Sequence, residues 1–148
     1  MDPRPDFGEE SYQGTGKLTG RVAIITGGDS GIGRAVAVAF AREGADVVIS
    51  YLNEHDDAQE TAEVVRDAGR RALEIPGDIQ QERHCIDIVT QCLKEFGRVD
   101  VLVNNTAHQI SHEGFMELTA EAPNPQCPGG YSAPMPPSSI GFVRALIM

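Results

Sequence analysis

The sequence predicts an α/β fold built on a parallel sheet. Three observations carry that expectation. Short apolar runs alternate with segments of helical period, the loops between them are short, and a glycine-rich turn joins the first apolar run to the first helix. Right-handed crossovers would then place the helices on the two faces of the sheet.

The first 20 residues are polar and rich in turn formers (Pro3, Pro5, Gly8, Gly14, Gly16, Gly20), with no period of 2 or 3.6. They read as an arm that lies on the domain or is disordered, with Phe7 and Tyr12 as its anchors. Val22–Thr26 reads as the first strand, apolar without alternation, as expected of a strand covered on both faces. A helix follows from about Gly31 to Glu43, with Ile32, Val36, Ala39 and Phe40 near one face and Gly44 as its stop. Asp46–Tyr51 is the second strand. The acidic stretch Glu54–Asp57 reads as the solvated start of a second helix, about Asp56–Ala68, where negative charge suits the helix dipole. Ala58, Ala62, Val65 and Ala68 form its apolar stripe and Gly69 closes it. Ala72–Ile75 is the third strand. The third helix, about Gln80–Phe96, repeats Ile86, Val89, Leu93 and Phe96 at three- and four-residue steps and ends at Gly97. Val99–Val103 is the fourth strand. From about residue 113 the character changes. Pro123, Pro125, Pro128, Pro134, Pro136 and Pro137 bar a helix or a central strand over 121–139, and 113–148 reads as irregular.

Composition narrows the partners. A chain of 148 residues can bury a real core. Its formal net charge of -10 argues against nucleic acid and against an anionic membrane surface, both of which need clustered cations. Three cysteines without a ladder of spacings point to a reducing cytoplasm rather than a disulfide scaffold. No apolar run approaches the ~18 residues of a membrane span, and no basic-then-apolar signal opens the chain.

The stretch that carries chemistry is Thr26-Gly27-Gly28-Asp29-Ser30-Gly31-Ile32-Gly33. Between a strand and a helix, such a turn serves to bind phosphate. Gly27 permits the tight turn, Gly31 lets backbone approach a pyrophosphate, and Gly33 lets the helix sit close on the strand. The helix start adds N–H groups and the positive end of a dipole. The bland reading is a structural turn without a ligand. Asp78, after the third strand, has two readings: a residue beside the ligand, or a cap for the third helix. Cys85 and Cys92 share one helix face and read as core packing. His108 and His112 are four apart but lack the glutamate of the zinc-protease pattern, so no metal is expected. His55 and His84 read as surface residues.

With Asp78 and with Asn104-Asn105 after the fourth strand, the glycine turn resembles the short-chain dehydrogenase/reductase family. The arm Gly8-Glu-Glu-Ser-Tyr12…Gly16-Lys-Leu and the Gly-Gly-Asp-Ser wording of the turn resemble its glucose/ribitol-dehydrogenase-like subgroup. The resemblance covers about residues 1–112. It implies a doubly wound Rossmann-type sheet, here in strand order 3-2-1-4, with an arm (1–20), a dinucleotide-binding half-domain (21–112) and a Pro/Gly-rich tail (113–148). It implies NAD(H) or NADP(H) and reversible oxidation of a small-molecule alcohol to a carbonyl. By matching position, Gly27, Asp29, Ser30, Gly31, Ile32 and Gly33 would hold the pyrophosphate. Asp78 and Ile79 would border the adenine, and Asn105, Thr106 and Ala107 the adenine-side ribose. No acid stands at the tip of the second strand, which ends Ser50-Tyr51-Leu52-Asn53, so the preference leans to NADP(H), with Asn53 as a residue to meet a 2′-phosphate and Arg34 either as a cation beside it or as a solvated helix-start arginine, the commoner case.

Two departures matter. The family's Asn-Asn-Ala-Gly reads Asn104-Asn-Thr-Ala107 here. Its catalytic Tyr-x-x-x-Lys pair, in which lysine lowers the pKa of an acid/base tyrosine, has no counterpart: Tyr12, Tyr51 and Tyr131 are followed four residues later by Gly16, His55 and Met135. The first reading is therefore the cofactor-binding half of an NAD(P)-dependent oxidoreductase. The second is a non-catalytic nucleotide-binding fragment or pseudo-enzyme. The third is a product without a stable fold, because Val99–Val103 would form an apolar sheet edge. The family dimerises through later helices absent from this sequence, so the oligomeric state is left open. The arginine-rich composition, with Lys17 and Lys94 the only lysines, fits a GC-rich coding sequence. An out-of-frame reading or an alternative end after about Gly114 would explain the sudden proline and glycine. Another frame of the coding DNA is then expected to continue into a Tyr-x-x-x-Lys helix, and its absence from every frame would end that explanation.

Overall fold

The computed structural model describes residues 6–106. The described residues as far as Asn105 belong to one compact unit. Thr106 opens a second, and the rest of that unit, with the whole 113–148 segment, lies outside the described residues. Strands β1 (Val22–Thr26), β2 (Asp46–Tyr51), β3 (Ala72–Pro76) and β4 (Val101–Asn104) alternate with helices α1 (Gly31–Arg42), α2 (His55–Asp67) and α3 (Glu82–Phe96). The sheet is parallel throughout, in the order β3-β2-β1-β4. Its register sets Thr26 beside Ser50 on one side and Asn104 on the other.

Successive residues of a strand point to opposite faces, and the two faces hold separate cores. Ile25, Val47, Ile49 and Tyr51 meet Ala37 and Ala41 of α1 and Ala58, Ala62 and Val65 of α2. Val22, Ile24, Val48 and Ile75 meet Ile88 and Cys92 of α3 on the other face. These are the three layers of a doubly wound fold. The two central strands, β1 and β2, are buried at every position because both faces are covered.

Two helix faces differ from the expected ones. In α1 the buried positions are Gly33, Arg34, Ala37, Val38 and Ala41, with Val36 and Phe40 only partly buried and Ile32 76% exposed. Gly33, Ala37 and Ala41 recur every four residues, so the smallest residues rather than the largest meet the sheet. In α3 the face turned to the sheet is Ile88 and Cys92, flanked by Val89 and Phe96; Ile86 and Leu93 are exposed. Helix α3 begins at Glu82, not Gln80, because Asp78 Oδ1 accepts the Gln80 N–H (2.9 Å) in a turn that precedes the helix. Cys85 is exposed, its thiol donating to Ile79 O (3.1 Å), and Cys92 alone of that pair is core; burial pushes the Cys92 thiol up to about 11. His84 is half-buried against Gly77, with Nε2 enclosed and without a partner among the described residues, and is not a surface residue.

The arm is fastened through Glu43, at the end of α1. Tyr12 OH donates to Glu43 Oε1 (2.6 Å), and the N–H groups of Thr15 (3.0 Å) and Lys17 (2.9 Å) donate to Oε2. The Glu43 backbone carbonyl accepts the Leu18 N–H (2.9 Å), and Arg42 donates to Glu9 O. Gly14 lies on the backbone of Arg42, too close for any side chain. The Tyr12 hydrogen bond, then those from Lys17 and Thr15, hold the Glu43 carboxyl down at about 2, against an ordinary 4.5. A group depressed in the folded state favours folding above its ordinary pKa and loses that contribution as pH falls toward the folded value. The arm is therefore expected to stay attached above about pH 4.5 and to loosen between there and about pH 2. Hydrogen exchange at the Thr15 and Lys17 amides would show this, with Glu43→Gln loosened at every pH. Protection unchanged across that acid range would refute the carboxylate clamp.

Candidate functional site

The C-terminal ends of β1, β2 and β4 converge on the glycine turn, residues 27–30. In an open parallel sheet this is the edge where ligands bind. Gly27 leaves β1 at φ +63°, and its N–H donates to Ser50 O (2.7 Å), tying the turn to β2. Gly31 stands at φ +55°, and apart from its chain neighbours and the backbone of its own helix no described atom lies within 4 Å of where its Cβ would be. A Cβ on Gly33 would sit 1.9 Å from Gly27 O and 2.6 Å from Asn105 Nδ2. Only glycine lets α1 come this close to the end of β1.

Asn105 locks that approach from the other side. Its backbone N–H donates to Thr26 Oγ1 (3.0 Å), and its Nδ2 to Thr26 O (3.2 Å) and Gly27 O (3.1 Å). Thr26 Oγ1 in turn donates to Val103 O (3.3 Å). So Asn105 supports the turn, with its amide spent on backbone carbonyls.

The start of α1 is chemically open. Ser30 is the N-cap, with extended backbone, but its hydroxyl makes no capping bond, and the first turn carries no acid. The first helical bond is Arg34 N–H to Ser30 O (3.2 Å). The N–H groups of Gly31, Ile32 and Gly33 find no acceptor among the described residues. A helix start leaves such donors to a cap, to water or to a ligand.

The other expected site residues fall as follows. Asp29 is buried, and its carbonyl lies 3.2 Å from Thr61 Oγ1. Ser30 and Ile32 are exposed at the mouth of the turn. Asn53 is exposed just past β2, its carbonyl accepting the His55 N–H (3.0 Å). His55 Nδ1 bonds Tyr51 OH (2.9 Å). Asp78 is half-buried and bonded within its own turn, while Ile79 packs against the α3-side core. Thr106 is exposed; Ala107, His108 and His112 lie outside the described residues. Arg34 departs from expectation. It is buried beneath α2, donating to Thr61 Oγ1 (2.8 Å), Asp57 O (2.8 Å) and Glu60 Oε2 (3.0 Å), and so is committed away from the tip of β2. Thr61 escaped the sequence reading. Its one signal was a hydroxyl standing inside the stripe Ala58, Ala62, Val65.

Comparison with known proteins gives one consistent picture. The family model described as short chain dehydrogenase matches residues 21–125, past the point where the tail becomes proline-rich. The uncharacterized oxidoreductase YhdF of Bacillus subtilis is 51% identical over 121 residues, covering 82% of this chain and 42% of that protein. A glucose and ribitol dehydrogenase homolog of Oryza sativa is 40% identical over 129 residues, covering 82% and 43%. The chain thus spans about two-fifths of the length of these curated relatives. Among solved structures, a short chain dehydrogenase from Burkholderia cenocepacia in complex with NADP has TM-score 0.66 and 33% identity, covering 74% of this chain and 44% of that one. Carveol dehydrogenase from Mycobacterium avium in complex with NAD has TM-score 0.66 and 28% identity, covering 72% and 42%.

Gly33→Ala should force α1 off the end of β1. Overpacking of this kind costs about 1–3 kcal/mol, and here the clash is with backbone. The variant is expected to unfold at a clearly lower temperature than the parent. An unchanged melting temperature would show that the contact yields easily.

Proposed function

This chain belongs to the short chain dehydrogenase family, and on that premise we propose that its glycine turn holds the pyrophosphate of a nicotinamide dinucleotide. The activity served is conversion between an alcohol and a carbonyl. The observation that carries the reading is the uncapped start of α1, where the N–H groups of Gly31, Ile32 and Gly33 have no acceptor among the described residues, beside the open space at Gly31. Gly27, Asp29 and Ser30 shape the turn; Asn105 fixes it against β4; Asp78 and Ile79 stand at the end of β3, on the adenine side. When bound, the nicotinamide supplies or accepts a hydride. The residues of this chain bind and orient the dinucleotide. None of its tyrosines is followed by lysine at the fourth position, so the proton transfer that accompanies hydride transfer has no donor pair here.

That absence favours the second reading for these 148 residues alone: a nucleotide-binding unit that does not turn over. For the cofactor, the β2 tip carries Asn53 rather than an acid, which supports NADP(H); with Arg34 committed to α2, the 2′-phosphate would be met by neutral donors. The free thiols of Cys85 and Cys92 suit a reducing cytoplasm.

Titration with NADPH and with NADH, followed by nicotinamide fluorescence, is expected to saturate, and turnover of polyols or sugars is expected to be absent. Failure to bind either dinucleotide would overturn the proposal; steady-state turnover would overturn the non-catalytic reading. Asn53→Asp should shift preference toward NADH by about tenfold, or ~1.4 kcal/mol, through repulsion of the 2′-phosphate. An unchanged ratio would remove Asn53 from cofactor choice.

A further inference from the structure

Arg34 is a buried cation that phosphate binding does not use. Its guanidinium lies between α1 and α2, with the Phe7 ring of the arm over it at 5.2 Å. Nε donates to Thr61 Oγ1 (2.8 Å); Nη2 donates to Asp57 O (2.8 Å) and Glu60 Oε2 (3.0 Å). Thr61 is fully buried, and its hydroxyl has one proton to donate. Two acceptors are in reach, Asp57 O at 3.0 Å and Asp29 O at 3.2 Å. Asp57 O already accepts the helical N–H of Thr61, four residues on in α2, and the Arg34 Nη2 proton. Those two bonds fill its two lone pairs. The Thr61 proton is left to Asp29 O, in the glycine turn one residue before the N-cap of α1.

We propose that Arg34 and Thr61 are positioning residues for the glycine turn. Arg34 occupies the competing carbonyl and orients the Thr61 hydroxyl, and that hydroxyl holds the Asp29 carbonyl, so that the N–H groups of residues 31–33 face the ligand. The turn cannot be held by its own side chains at Gly27, Gly28, Gly31 and Gly33; a neighbouring helix supplies the grip. The proposal rests on the dinucleotide reading for its effect on binding, but not for its effect on the turn itself.

The test uses the 148-residue chain with Thr61→Val, Thr61→Ser, Arg34→Met and, as a stability control on the same helix, Val65→Ala. Two quantities are read: dissociation constants for NADPH and NADH, and hydrogen exchange at residues 30–33 without ligand. Loss of one buried hydrogen bond should weaken binding about tenfold. Thr61→Val and Arg34→Met are expected to do this and to speed exchange at 30–33, with Thr61→Ser restoring both. Val65→Ala should lower the melting temperature without either effect. The proposal is overturned if Thr61→Val binds and exchanges like the parent, or if Val65→Ala reproduces its pattern. If the parent binds neither dinucleotide, the dinucleotide reading fails, while exchange confined to 30–33 still supports the relay and exchange spread over the chain overturns it.

Discussion

The structure depends on how closely α1 can approach the end of β1. That distance is set by a missing side chain at Gly33 and by an amide that fills the space beside it. Asn105 Nδ2 reaches the carbonyls of both Thr26 and Gly27, while Gly33 leaves the Gly27 carbonyl and that amide uncovered. Gly27 is half-buried in the turn, and Asn105 Nδ2 supplies its carbonyl with a donor from the far side of β1. The clamp also ties β4 to β1 at the edge where a ligand would enter. Sheet closure and the shape of the turn are therefore one arrangement, made by residues 78 positions apart in the chain.

Charge is used in the same way at each joint between distant segments. Burying an ion is unfavourable unless its hydrogen bonds are replaced, and the buried Glu43 and Asp46 and the partly buried Asp100 are each surrounded by donors. Glu43 gathers the arm. Asp46 receives the Arg71 N–H and the side chains of Arg70 and Arg71, joining β2 to the approach to β3; burial pushes its carboxyl up, and these bonds more than reverse that. Asp100 accepts Arg98, Arg21 and the Val22 N–H, which holds its carboxyl at about 2 and joins the start of β4 to β1. Removing one partner would leave the others around an incompletely bonded ion, so each joint is a point of cooperativity more than a source of net stability.

Strands and glycines were the legible part. Val22–Thr26 and Asp46–Tyr51 have the bounds their apolar runs suggest, and the order β3-β2-β1-β4 is the one the family resemblance implies. Helix faces were less legible, for a reason visible in α3. Ile86, Val89, Leu93, Phe96 and Ile88, Val89, Cys92, Phe96 both repeat at helical spacing and share two members. Hydrophobicity favours the first set; the fit to the sheet selects the second, where the smaller Cys92 permits closer packing. In α1 the same preference for bulk pointed to Ile32, although Gly33, Ala37 and Ala41 meet the strands. Arg34 was illegible because a charge at a helix start ordinarily faces water; only the acceptors of α2, distant in sequence, make its burial tolerable.

A phosphate cradle made of backbone amides carries a mechanical problem. The glycines that expose the amides also allow the backbone more conformations than any other residue, and ordering them costs entropy on binding unless something has ordered them already. Gly27 is bonded to Ser50 O, and Asn105 holds its carbonyl, so that end of the turn is rigid from the sheet side. The other end, Asp29 to Gly31, has no strand beside it among the described residues. Thr61 reaches it, from a helix that the Arg34 guanidinium ties to α1. Preorganisation of the amides thus comes from two directions, a strand's amide and a helix's hydroxyl, and neither lies within the glycine motif that makes the site recognisable.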